Sequence, residues 1–482
     1  MKDLARLAID TAHARGASYA DARAIESTRE DFQVKNGEVG GLDLSSSAGI
    51  GVRVLVQGAW GFSATDDLTK EGVERCAASA VSIGRASASL EHDDVRLAPE
   101  PAHRAVWASQ CAIDPFQVSL ETKLGLLFRI DSEMRAVRGV KNAESFLSFQ
   151  RKHQYYLSTE GSDIEQTLTR SGGGFSATAV SADDVQRRSF PQAEGFHQAL
   201  GYELIEGTPY VEHARRVAEE AVALLTAEQC PAGERDLILE GSQLALQIHE
   251  SVGHPTELDR VLGMEANYAG TSFLTLEKQG KLQFGSKLVN LVADATLPHA
   301  LGTFAYDDDG VEAQRWHIVQ DGLFLGYLTS RELAHRVGES RSKGCVRSDG
   351  WFHIPMIRMV NLSLMAGSGS LEDLLSDTDH GIYMETNRSW SIDQLRYNFQ
   401  FKTEIAWEIR KGKRVRMLKN PTYQGITTGF WNSCDSICGP EEWKPWGVVN
   451  CGKGQPGQVG EITHGAAPAR FRKVRVGVGY ED

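Results

Sequence analysis

The sequence predicts an α+β protein in two parts. An N-terminal α/β region of antiparallel strands is flanked by helices, and a C-terminal, predominantly antiparallel β domain, barrel-like, surrounds one short motif helix. Three observations predict this. Helix-period apolar spacing is confined to a few segments, mostly before residue 230. Two-residue turns at Asn36-Gly37, Gln57-Gly58, Asp321-Gly322 and Lys411-Gly412 each separate two strand-like runs. Beyond Cys230-Pro231-Ala-Gly233, strand signals follow one another with few helices between them.

Residues 2–15 read as a helix with Leu4, Leu7, Ala8 and Ala12 along one side, stopped by Gly16. Strands are expected over 20–25, 31–35, 49–56 and 59–64, and a helix over 68–86. A polar, Pro-containing connector covers 97–103. After Asp114-Pro115 a second unit of similar plan begins, with a helix over 119–137, strands over 139–158 and 163–178, and a helix over 208–227. Ser171-Gly-Gly-Gly174 lacks the Gly-Lys-Ser/Thr ending of a phosphate loop and reads as a turning loop. These elements give an N-terminal domain over 1–228, with two subunits over 1–96 and 104–228 whose shared element order suggests a diverged duplication, and a C-terminal domain over 229–482. In the latter, strands 315–320 and 323–328 flank one turn and 405–410 and 413–418 the other. Only the motif helix and helices over 330–337 and 371–376 interrupt the strands, and a strand over 469–478 ends the pattern.

Composition narrows the function. The 482 residues are 41% apolar and 24% charged, ordinary for a soluble globular protein. A formal net charge of −13 argues against phosphate-backbone binding as the main activity, so no nucleic-acid partner is expected. The first ten residues form an amphipathic pattern with acids in it, unlike a targeting peptide, and no apolar run is long enough to span a bilayer. Seven scattered cysteines do not make a disulfide framework. The expectation is a cytoplasmic protein without a membrane partner.

The chemistry concentrates in Gly241-Ser-Gln-Leu-Ala-Leu-Gln-Ile-His249-Glu250-Ser-Val-Gly-His254-Pro255. Two imidazoles flanking an acid supply two nitrogen ligands and a base for a metal-bound water. In the common H-E-x-x-H motif the histidines are four apart on one helix face. Here they are five apart. On an ideal helix that separates them by roughly 140° and about 7.5 Å of rise, too far for one metal. The spacing therefore predicts that the helix ends at about Gly253, so that His254 turns back. A third ligand must come from elsewhere. Cys451, Cys434, Cys438, His299, His317, His353 and His464 are candidates, and Cys451 stands out at the start of the Gly-rich run 451–458.

Other patterns carry less. Gly452-Lys-Gly-Gln-Pro-Gly457 matches G-x-G-x-x-G, but no βαβ unit follows it. Asp307-Asp308-Asp309-Gly310 lacks calcium-loop spacing and reads as a solvated turn. Cys434 and Cys438 lack a second pair for a zinc ribbon, and there is no G-x-S-x-G.

The stretch His249-Glu-Ser-Val-Gly-His254 resembles the signature of the TldD/PmbA metallopeptidases, on the TldD side that keeps the motif. Further matches follow in family order at Asp294-Ala-Thr-Leu-Pro298, at 302–310, at Asp321-Gly322 with Gly326-Tyr-Leu328, at Pro355-Met-Ile-Arg358, at Gly381-Ile-Tyr383 and at Cys451-Gly-Lys453. The resemblance is specific over roughly residues 235–475. It implies a Zn²⁺ site with His249, His254 and Cys451 as ligands and Glu250 as the catalytic acid/base. It also implies a dimer enclosing a chamber for unfolded or small peptides, which bind as an added strand. Some relatives pair with a TldE/PmbA-like subunit that lacks the motif, so a homodimer and a heterodimer are both implied. Relatives have been called DNA-gyrase modulators, which the acidic balance here does not support. Pro255-Thr256 and the short loop after Lys453 depart from the family and bear on substrate preference.

Residues and resemblance together predict a zinc-dependent metallopeptidase. His317 and Arg358 are candidate substrate or oxyanion contacts. The alternatives are a dedicated hydrolase tailoring a peptide-like metabolite and a non-catalytic partner subunit; the intact His249/Glu250/His254 set argues against the second.

Overall fold

The computed structural model describes residues 1–90 and 93–477. The first layer is an eight-stranded sheet. Its strands are β1 (Tyr19–Lys35), β2 (Glu38–Val56), β3 (Ala59–Thr65), β4 (Arg104–Ala108), β5 (Val140–Ser158), β6 (Asp163–Val180), β7 (Val185–Phe190) and β8 (Phe196–Gln198). The order is β3-β2-β1-β5-β6-β4, with β7 and β8 also paired to β6. All pairs are antiparallel except β4–β6. β1 pairs β5 from Asp21↔Ser158 to Lys35↔Glu144, so the strands of both N-terminal units lie in one sheet.

Alternation along β1 explains the layers. Ala20, Ala22, Ala24, Phe32 and Val34 point to one face, which two helix pairs cover. Helices α1 (Lys2–Ala14) and α2 (Lys70–Ala88) bury Ala5, Ala8, Ile9, Val73 and Ala77 there. Helices α3 (Leu120–Arg135) and α4 (Tyr210–Leu224) bury Leu127, Ile130, Ala214 and Val217 further along the same face. The opposite face carries Asp21 and Arg23 and meets the C-terminal domain. The stretch from Glu26 to Glu30, expected to separate two strands, continues β1 because both neighbours pair across it. It lies where the sheet is solvated, so no apolar alternation is needed there.

Two expectations are corrected here. Ser171-Gly-Gly-Gly174 is no loop but the buried middle of β6. β8 lies against it at Ser171↔Gln198 to Gly173↔Phe196, and a Cβ on Gly172 would overlap the His197 ring, so glycine permits the close approach. Asp307, Asp308 and Asp309 are buried rather than solvated. Asp309 accepts from Arg53 at 2.7 Å, and Asp308 accepts from Gln154 at 2.7 Å and faces Arg23 at 3.5 Å. Asp307 accepts from the N–H groups of Asp309 and Val311, both at 2.9 Å. Asp308 and Asp309 thus fasten the two parts of the chain as paired charges, while Asp307 is held by backbone N–H groups and burial pushes its carboxyl well up.

The C-terminal part contains a closed five-strand barrel. Gly233–Leu239 pairs Ala469–Val476, then Thr422–Ile426, Asn398–Arg410 and His380–Ile392 follow, and the last returns to Gly233–Leu239 in a parallel pairing. Leu237, Leu239, Phe399, Phe401, Tyr423 and Phe471 belong to its core. The strand expected over 469–478 is Ala469–Val476, and residue 478 lies outside the described residues. The helix expected over 330–337 shortens to a 3₁₀ turn, Ala334–Val337, and the strand over 323–328 to Leu323–Phe324. Glu203–Gly207, Leu258–Val261 and Thr427–Asn432 are helices without an expectation, and Trp431 of the last is fully buried, donating to Ser251 of the motif. Among the described residues no helix is long and apolar enough to cross a membrane.

Candidate metal centre

The motif helix, Gly241–Ile248, leaves the barrel strand directly after Leu239. Glu240 caps it, accepting from the Ser242 N–H at 2.8 Å, and every residue of the helix is buried. One phenol bridges its two buried amides. Gln243 donates to Tyr423 Oη at 2.8 Å, and Tyr423 donates to Gln247 at 2.9 Å.

The expectation that the helix ends at Gly253 is corrected. The chain widens into a π turn, His249–Gly253, closed by a bond from the His254 N–H to the His249 carbonyl, and then tightens into a 3₁₀ turn, His254–Thr256. An i→i+5 bond stacks residues five apart, so the extra residue is absorbed without reversing the chain. The two rings lie 4.8 Å apart, centroid to centroid. Gly253 keeps helical angles, φ −60° and ψ −65°. Its lack of a side chain serves packing instead, since a Cβ would overlap the Met359 sulfur. A Gly253→Ala variant is expected to lose about 1–3 kcal/mol of stability, readable by denaturant unfolding.

The third ligand comes from a hairpin of Lys444–Lys453 with Gln458–Ala466. Cys451 lies within its first strand, opposite Gly460, rather than opening a loop. Its Sγ is 3.7 Å from His254 Nε2, and one donor atom from each of His249, His254 and Cys451 lies within 4.8 Å of the others. With zinc–nitrogen and zinc–sulfur bonds of about 2.0 and 2.3 Å, a tetrahedral N–S edge is roughly 3.5 Å. The donor set therefore fits Zn²⁺.

Outer partners fix both imidazoles. His464 donates from Nδ1 to the Leu362 carbonyl at 2.9 Å, so its Nε2 accepts from His249 Nδ1–H at 2.8 Å. That leaves the lone pair of His249 on Nε2. His254 donates from Nδ1 to Glu257 at 2.9 Å, leaving its Nε2 beside the thiol. Glu257 also faces Lys453 at 3.3 Å, and Lys453 reaches Asp259 at 2.8 Å.

The electrostatics match. Burial pushes His249 down to about 4 and lowers His254, keeping both rings neutral as ligands must be. Burial raises the Cys451 thiol, but His254 and Arg358 more than offset it, and the thiol's pKa is lowered. Burial likewise raises Glu257, and Lys453 and His254 outweigh it, holding the carboxyl well below its usual range. A His464→Ala variant removes the acceptor for His249 and is expected to weaken metal binding about 10–100-fold, measured by competition with a chromogenic chelator.

Glu250 is buried one residue after the first ligand, and its Oε2 is ion-paired with Arg396. Arg396 comes from the turn between His380–Ile392 and Asn398–Arg410, at φ +64°. Arg358, a candidate substrate contact, instead donates to the carbonyls of Cys451 and Gln458 and so holds the hairpin. His317 lies opposite Val292 in a separate four-stranded sheet and is not brought to the ligands. Of the other candidate ligands, His464 enters the site as the partner of His249, while His353 pairs with Asp349 at 2.7 Å and Cys434 is spent in a strand opposite Phe471. Sequence reasoning missed Glu257 and Arg396. The i, i+3 spacing of His254 and Glu257 was a usable signal for the former.

Comparison with known proteins agrees with this geometry. Residues 232–476 match the family model described as the PmbA/TldA metallopeptidase C-terminal domain, 20–84 that of domain 1 and 113–225 that of the central domain. The chain is 28% identical to metalloprotease MJ0996 of Methanocaldococcus jannaschii, over 92% of this chain and 94% of that one. It is 21% identical to a protein of Saccharolobus solfataricus named a zinc metalloprotease TldD homolog, over 97% and 98%. The solved structure of TldE from Thermococcus kodakarensis shares the fold, with a TM-score of 0.73 and 16% identity over 99% of this chain and 100% of that one. The π-turn histidines, the facing cysteine and the three matched domains have one common reading: the chain belongs to the PmbA/TldD metallopeptidase family.

Proposed function

We propose that this protein is a cytoplasmic zinc peptidase that hydrolyses unfolded or small peptides inside a dimer chamber. The observation that carries the reading is the convergence of His249, His254 and Cys451 beside Glu250, with the second nitrogen of each imidazole already engaged. Zinc bound by these three residues would polarise the scissile carbonyl and acidify a bound water. Glu250 would accept a proton from that water and deliver it to the leaving amine. Arg396 holds Glu250 Oε2 and leaves Oε1 to take that proton. Glu257 and His464 keep the ligand rings from turning. The zinc assignment is supported by the name of the Saccharolobus relative, and the dimer, with a second copy or a TldE-like subunit, by the shared fold of the Thermococcus TldE.

The test is metal analysis of the isolated protein together with digestion of an unfolded peptide mixture, with and without chelator. Stoichiometric zinc is expected, with cleavage abolished by chelation and restored by zinc. Cleavage that persists in metal-free protein would overturn the reading.

A further inference from the structure

The first sheet has one long bare edge. β3 pairs β2 only from Ile50 to Val56, and among the described residues Val39 to Gly49 of β2 pair β1 alone. The Ser18 N–H donates to the Leu55 carbonyl, so Leu55 faces β1. Strand alternation then turns the N–H and C=O groups of Leu42, Leu44, Ser46 and Ala48 outward. Among the described residues none of these groups has a partner. Leu42 stands opposite Phe32 and Leu44 opposite Glu30, on the face that α3 covers further in. Both leucines are left open, 46% and 59% exposed.

Sheet edges are ordinarily blunted by Lys, Pro, bulges or shortness. From Val39 to Val52 there is no Lys, Arg or Pro, and Asp43 is the only charge. The one bulge, at Gly40, lies at the end of the run. Left bare, such an edge pairs with another strand.

The sequence of the edge suits its own copy in one register. Opposite residues of antiparallel strands share a face, so a twofold axis must pass through a residue that meets its own copy. Centring on Asp43 sets two carboxylates against each other, which is unfavourable. Centring on Ser45 or Ser46 calls on Ile50, which β3 already holds. Centring on Leu42 sets Ala48 against the turn at Asn36. Centring on Leu44 uses the whole free run. Leu44 then meets the partner's Leu44, Leu42 the partner's Ser46 and Gly40 the partner's Ala48. On the other face Asp43 meets the partner's Ser45, whose hydroxyl can donate to the carboxylate.

We propose that this chain dimerises by antiparallel pairing of its β2 edge with the same edge of a second copy, about a twofold axis at Leu44. Two eight-stranded sheets then run on as one. The inference rests on the dimer of the proposed function and gives that dimer its interface.

Sedimentation equilibrium of the full-length chain tests it, and a dimer is expected. Leu44→Cys should form a disulfide-linked dimer under oxidised glutathione, because a hydrogen-bonded antiparallel pair holds its Cα atoms about 5.5 Å apart, within disulfide reach. Val39→Cys should not, since the register leaves it roughly 30 Å from its own copy. Wild type is the second control, its cysteines being buried apart from the half-buried Cys111. Ser46→Pro removes an N–H that β1 does not use, so the fold should survive while the dimer dissociation constant rises about tenfold or more. A monomeric wild-type chain overturns the proposal and leaves the edge to a peptide or another protein. So does a dimer in which Leu44→Cys stays unlinked, or a folded Ser46→Pro that associates as tightly as wild type. Zinc content and chelator-sensitive cleavage are read separately, so a monomer that still cleaves leaves the zinc-peptidase reading standing.

Discussion

Glu250→Gln is expected to lower kcat for peptide cleavage about 10²–10⁴-fold, the usual share of a general base, while bound zinc stays stoichiometric. The change is isosteric, and the amide oxygen can still accept from Arg396, so the π turn and the ligands keep their positions. What is lost is the capacity to take a proton. Glu257 cannot replace it, because its carboxylate is committed to His254 and Lys453. The paired measurement is zinc content by atomic emission and kcat on an unfolded peptide. Wild-type kcat in a zinc-loaded variant would assign the base to another group.

Cys451→Ala should have the largest effect on the metal itself. Removing the thiolate leaves two neutral imidazoles, and affinity should fall by more than the roughly 100-fold limit of an outer-partner change. The backbone of the hairpin should stay in place, since Arg358 binds the Cys451 carbonyl and not its side chain. Zinc lost on dialysis, with an unchanged melting profile of the metal-free protein, is the expected result. Full metal content would transfer the third ligand to another residue, and His464 could serve only by breaking its bond to His249.

Much of this architecture was legible because turns and periodicity are local signals. The Asn36-Gly37 and Lys411-Gly412 hairpins and the first four long helices follow from neighbouring residues alone. What sequence could not give depends on partners far along the chain. Asp307 to Asp309 looked solvated because Arg23 and Arg53, which pair with Asp308 and Asp309, lie more than 250 residues earlier. The three glycines of β6 read as a loop because β8, which needs the space, is visible only in the fold. The spacing of His249 and His254 showed that an ideal helix would fail, yet it could not say whether the chain breaks or widens. Met359 packed on Gly253 settles the reason for that glycine. Arg396, 146 residues from Glu250, left no trace in the motif.

The barrel closes only when Ala469–Val476 inserts between Gly233–Leu239 and Thr422–Ile426, and His464 and Cys451 arrive on the preceding hairpin. During synthesis the first ligands therefore emerge some 200 residues before the one that completes the site, His254 and Cys451 being 197 positions apart. Until the closing strand is made, the two histidines have no closed barrel to dock on. On the proposed reading, an enzyme suited to unfolded peptides thus has no activity while it is itself an unfolded peptide. Its competence waits on Ala469–Val476.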